Sequence, residues 1–258
     1  EALPASTLTL QKIVTNDNGG IAVVGDFGIT TSAGVLTFGA GVPSGSDTTY
    51  TSTALTVTPG TFTLSESDVP GYTEGTWTCD NGDGGAYNSG SVDLGAGDNV
   101  TCTITNNDNA PTLTLDKIVV NDNGGTAAES AWTLTATGNP VTNPATLSGA
   151  GAAGSTDVVS DATFDAGTYD LSEAVGPAGY TASTWVCVGG TQVDADTVTI
   201  ALGENVTCTI TNNDNAPTLT LDKAVMNDNG GTAAESAWTL TATGNPVTNP
   251  ATLSGAGA

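Results

Sequence analysis

The chain has 258 residues, 3 Lys+Arg against 27 Asp+Glu, no His and four Cys, for a formal net charge of −24. Without histidine neither a His-based triad nor a His zinc site is available, and so acidic a surface repels phosphate backbones and anionic headgroups alike. That excludes nucleic-acid binding and polybasic membrane attachment, and no run of about 18 apolar residues is present to insert into a bilayer.

Taken in chain order, Leu8, Leu10, Lys12 and Val14 alternate with mostly polar residues, the period-two signature of a strand with one apolar face. An NDNGG turn follows at 16–20. Phe62, Leu64 and Glu66 make a second such face, and Cys102, Ile104 and Asn106 a third, before a short NNDNAP linker at 106–111. The pattern then restarts. LTLQKIVTNDNGG begins at Leu8, LTLDKIVVNDNGG at Leu113 and LTLDKAVMNDNGG at Leu219. Strands of the second copy read through Trp132, Leu134 and Ala136, through Tyr169, Leu171 and Glu173, and through Val206, Cys208, Ile210 and Asn212. NNDNAP returns at 212–217. Residues 219–258 repeat 113–152 with two differences, Ile118/Ala224 and Val120/Met226.

Repetition at this length means one domain used in series. The boundaries fall at 1–108, 109–214 and 215–258, the last an incomplete copy. Asn-Gly, Gly-Gly and Pro-Gly pairs punctuate the strands, and no segment carries a helical period. The expected fold is all-β: tandem immunoglobulin-like sandwiches, each of two antiparallel sheets. Short proline-containing linkers predict stiff joints. The half copy at 215–258 would leave an apolar face and strand edges open, which predicts that the chain continues or that a neighbouring molecule completes it.

All three lysines of the chain, Lys12, Lys117 and Lys223, occupy one position of the repeat, in phase with core-facing leucines. Glu66 and Glu173 share the inward phase of their strands, as do Asn106 and Asn212. Each complete repeat therefore aims one Lys, one Glu and one Asn at its interior. Burying an unpaired ammonium costs several kcal/mol or forces it neutral. A neutral amine is a nucleophile, a carboxamide carbon an electrophile, and a protonated buried Glu can hydrogen-bond the carboxamide and shuttle protons as ammonia leaves. Folding supplies the effective concentration. Three readings follow: an intramolecular amide, a buried Lys–Glu pair with an Asn hydrogen bond and no covalent product, or exposed and unrelated residues.

The residues resemble the collagen-adhesin B-type domains, also called prealbumin-like or pilin-type isopeptide domains, of bacterial surface proteins. The resemblance is carried by the opening LTLxK, by GTFTLSESDVPGY at 60–72 with its counterpart GTYDLSEAVGPAGY at 167–180, and by the closing TITN at 103–106 and 209–212. It implies that Lys12 bonds to Asn106 with Glu66 catalytic, and Lys117 to Asn212 with Glu173 catalytic. Lys223 would use a Glu and an Asn beyond residue 258.

Two cysteines per complete repeat argue for one disulfide inside each, Cys79 with Cys102 and Cys187 with Cys208, in an oxidising setting. The NDNGG turns and NNDN linkers gather oxygen ligands, namely Asn16, Asp17, Asn18 and Asp108 in the first repeat and Asn121, Asp122, Asn123 and Asp214 in the second, with Asp228 in the third. Hard oxygen ligands suit calcium, although Asn-Gly and Gly-Gly make such turns without a metal. No cofactor is required, and calcium is the one ion these loops offer to hold. Together these features predict a structural region of an extracellular bacterial surface fibre or filament, with no turnover catalysis. Two alternatives stand beside it: the non-binding stalk of a large adhesin, or short subunits that assemble by completing the partial third repeat.

Overall fold

The structure, a computed structural model, describes residues 3–81, 87–88, 90–139, 142–152, 158–244, 250 and 252–257. It is built from short strands. Its contacts divide it into two compact units, one of 1–118, 128–176 and 183–211, the other of 119–127, 177–182 and 212–258.

In the first repeat β1 (Ser6–Thr15) alternates buried and half-buried residues along its whole length, as its sequence period requires. It lies inside a seven-stranded sheet, between β2 (Asp47–Thr51) and the last strand of the repeat. The facing four-stranded sheet pairs β3 (Gly60–Ser65) with β6 (Ser91–Leu94). The larger sheet also holds β4 (Tyr72–Glu74), β5 (Thr78–Asn81) and β7 (Asn99–Asp108). Leu8, Leu10, Leu64, Trp77, Val92, Cys102 and Ile104 fill the space between the sheets.

One feature departs from the antiparallel expectation. β1 and β7 run parallel, with Leu10 opposite Cys102, Lys12 opposite Ile104 and Val14 opposite Asn106. Period-two alternation is the same for either direction, so sequence phase cannot distinguish them. The parallel pairing has a mechanical consequence. The chain enters at one end of β1 and leaves at the opposite end of β7, so tension along the chain shears these two strands against each other.

The second repeat follows the same plan with β8 (Thr112–Val120), β9 (Thr133–Gly138), β10 (Gly167–Glu173), β11 (Tyr180–Ala182), β12 (Val186–Val188), β13 (Thr197–Ile200) and β14 (Asn205–Asp214). They lie in two five-stranded sheets around Leu113, Leu115, Leu134, Phe164, Tyr169, Val198 and Ile210. In the third repeat β15 (Thr239–Thr243) and β16 (Thr252–Ala256) form a hairpin. The segment LTLDK is a strand at 113–117, where β14 lies beside it, but not at 219–223, where no described strand pairs with it. Leu219 is 61% exposed where Leu113 is fully buried. Identical residues thus differ because strand formation depends on a partner and a covered face more than on propensity.

Three 3₁₀ turns occur among the described residues, at Val24–Phe27, Glu129–Ala131 and Glu235–Ala237. At three or four residues they are too short to show a period, yet each ends in, or hands on to, the aromatic that roofs a lysine.

Candidate functional site

In the first repeat the inward phase of β1 carries Lys12 into the core beside Leu10 and Val14, and its side chain is fully buried. Glu66, just past the end of β3, comes from the opposite sheet with a side chain equally shut from solvent. Asn106, 1% exposed, arrives from β7. Lys12 Nζ donates to Glu66 Oε2 at 2.8 Å and also to Asn106 Oδ1. The other carboxyl oxygen, Glu66 Oε1, is buried without a hydrogen-bond partner among the described residues. Burial pushes the Lys12 amine below the usual lysine value, while the hydrogen bond and charge of Glu66 pull the other way. A buried amine, a carboxamide and a carboxyl group thus meet inside the first repeat.

Two neighbours of this trio escaped the sequence reading. The Phe27 ring lies 3.9 Å from Lys12 Nζ to its centroid, and itself packs edge-on against Tyr72. Phe27, Trp132 and Trp238 each stand fifteen residues after their lysine (27 − 12, 132 − 117 and 238 − 223). That constant offset was the signal available, masked by the change of residue type. The second neighbour is Glu74, opposite Asn106 in the sheet. Its carboxyl is raised above the ordinary range by burial first, then by the charges of Glu66 and Asp68. In the second repeat the matching position, opposite Asn212, is Ala182.

The second repeat places Lys117 Nζ 3.1 Å from Glu173 Oε1, with Trp132 above it at 4.9 Å. The same amine reaches the carbonyl oxygens of Ile118 and Ile210 at 3.1 and 3.4 Å. Asn212 is buried, 3% exposed, at the repeat position of Asn106. Lys223 lies under Trp238 at 5.0 Å and donates to its neighbour Ala224 O.

Both disulfides are present, Cys79–Cys102 and Cys187–Cys208. Each joins two residues directly opposite one another on adjacent antiparallel strands, β5 with β7 and β12 with β14. They pin the last strand of each repeat from the side away from β1 or β8.

Several of the oxygens that the sequence offered to calcium accept hydrogen bonds within the chain. Asp108 accepts from the backbone N–H groups of Asp17, Asn18 and Gly20 at 3.0, 3.0 and 2.7 Å. Tyr72 donates its hydroxyl to Asn16 Oδ1 at 2.5 Å and accepts from Ala22 N–H. In the second repeat Asp214 receives Asp122, Asn123 and Gly125 in the same way, and Tyr180 donates to Asn121. Burial raises the Asp214 carboxyl, but the three N–H donors together outweigh it and leave the group below its ordinary value. Asp228 lies in the turn of the third repeat, where its Oδ1 accepts from Asn229. Among the described residues no three acidic or cysteine side chains are grouped to hold a metal. Organised backbone amides aimed at a carboxylate make an anion cradle, which explains the turn's shape without a cation.

A family model described as a prealbumin-like fold domain matches residues 4–104, 108–210 and 214–258. No curated protein matches the chain by sequence. Solved structures that align with the chain include the Bacillus anthracis TIE protein, with a TM-score of 0.42 and 13% identity over 82% of this chain and 34% of that one. The major pilin protein (T-13) from Streptococcus pyogenes aligns with a TM-score of 0.39 and 14% identity, over 81% of this chain and 97% of its own. The pilus adhesin SpaC from Lactobacillus rhamnosus GG gives 0.33 and 16%, over 83% and 32%. The chain therefore spans about a third of the length of the TIE and SpaC chains.

Proposed function

The chain belongs to the family of prealbumin-like fold domains, and we propose that it is a structural, non-enzymatic repeat region of a bacterial surface fibre or stalk, hardened inside each complete repeat by a disulfide and a self-formed amide. One observation carries this reading: a fully buried lysine amine in contact with both a carboxyl group and a carboxamide. Lys12 Nζ, as the neutral amine, adds to the Asn106 side-chain carbonyl carbon. Its proton passes through Glu66 to the departing nitrogen, the carbon–nitrogen bond of the carboxamide breaks, and one ammonia leaves. Atoms balance without an oxidant or cofactor. Lys117, Glu173 and Asn212 are assigned the same roles. The amide would lie between the two strands that tension shears, which is where a surface fibre needs it. Among the described residues no helix is long and apolar enough to cross a membrane.

Pulling the reduced chain by its ends tests the mechanical claim. Lys12 and Asn106 are 94 residues apart, so an amide withholds about 320 Å of contour length at roughly 3.4 Å per residue. The expected trace lacks that step for repeat one, and Asn106→Ala restores it. A wild-type trace that already contains the step contradicts the proposal.

A further inference from the structure

The NDNGG turn of the first repeat does more than close a hairpin. The Asn18 side chain is nearly buried and reaches out of its own repeat: Nδ2 donates to Ala162 O at 3.0 Å and Phe164 O at 3.3 Å, both in the second repeat. Its main-chain carbonyl accepts from Ala166 N–H at 2.8 Å. Gly19, at φ +88°, lets the two backbones close up, since a Cβ there would stand 2.7 Å from Ala166 O. A second contact lies alongside. Asn109 N–H donates to Gly71 O and Asn109 O accepts from Gly203 N–H, both at 2.8 Å, while Leu202 packs where a Cβ on Gly71 would stand.

The same end face recurs on the second repeat. Asn215 N–H donates to Gly179 O at 2.8 Å, as Asn109 does to Gly71, and Thr181 holds Asn215 Oδ1 as Thr73 holds that of Asn109. There, however, no described atom lies within 4 Å of a Cβ built on Gly124 or Gly179, and Asn123 is exposed, its carboxamide turned back on Asp122 and Asp214. The same local geometry is therefore built on the second repeat from its own residues.

We propose that this end face, keyed by the second asparagine of NDNGG, is a docking surface for the backbone of the following repeat, and that Asn18 in its socket holds repeats one and two as a single rigid body. The partner is a prealbumin-like repeat presenting two carbonyls and one N–H, as 162–166 does. The inference is independent of the amide crosslink, because none of these bonds involves Lys12, Glu66 or Asn106.

The test uses the full chain, labelled with ¹⁵N, and two variants. Asn18→Ala removes the two donors, and Asn18→Asp sets carboxylate oxygens against two carbonyl oxygens. Neither changes the Asn18 N–H bond to Asp108. Residual dipolar couplings of wild type are expected to fit one alignment tensor for both repeats. In each variant they are expected to need two, with the Ala166 amide exchanging about tenfold faster, the weight of one to two neutral hydrogen bonds. Amide protection in β1 and β7 stays unchanged, which separates loss of docking from loss of fold. Two tensors already in wild type, or one tensor with unchanged Ala166 exchange in both variants, would overturn the inference.

Discussion

Replacing Asn106 with alanine is expected to destabilise repeat one by about 4–5 kcal/mol, the chain-entropy value of closing a ring near 100 residues. Asn106→Ala leaves the Lys12–Glu66 pair in place, so this loss belongs to the covalent ring. Glu66→Ala is expected to cost more. It prevents the amide from forming and also strands a buried ammonium, a situation worth about 3–5 kcal/mol by itself. The two variants separate the readings of the site. If the trio were only an ion pair with a hydrogen bond, Glu66→Ala would still be severe, whereas Asn106→Ala would cost about 1–2 kcal/mol. Amide exchange in β1 and β7, followed across guanidinium concentrations, reads the result for this repeat.

Removing the first disulfide by Cys79→Ala with Cys102→Ala is expected to lower the stability of repeat one by about 3 kcal/mol, from a loop whose ends are 23 residues apart. The bridge lies on the far side of β7 from β1. It therefore holds β7 to β5 while the proposed amide holds β7 to β1, and the two restraints act on different pairs of strands. The loss should appear in the unfolding of the first repeat alone and leave the second, with its own Cys187–Cys208 bridge, at its wild-type midpoint. Equal midpoints for the variant and wild type would show that the bridge contributes nothing to the folded state.

Much of this was legible from residues because the repeat samples each position more than once. A single inward lysine is an oddity; three at one position of the repeat make a pattern. The two-residue strand period then brought Glu66 and Asn106 to the same interior. What stayed hidden has physical reasons. Strand period is blind to direction, so the parallel pairing of β1 with β7 could not be read. The aromatic over each lysine sits on a 3₁₀ turn of three or four residues, where no period develops, and it changes from Phe27 to Trp132. The backbone amides that Asp108 and Asp214 accept from could not be read either, because a carboxylate has the same composition signal whatever its partner. The Asn18 joint was invisible because NDNGG reads as a turn wherever it stands, and its second role depends on the fold of the next repeat.

The intact mass of the non-reduced chain, followed by peptide mapping, tests the central claim most directly. The account predicts a mass below the sequence value by two ammonias and four hydrogens, with Lys12 joined to Asn106, Lys117 joined to Asn212, and Lys223 unmodified. A deficit of four hydrogens alone would contradict it, leaving both disulfides in place and Lys12 held by Glu66 through charge and hydrogen bonding only.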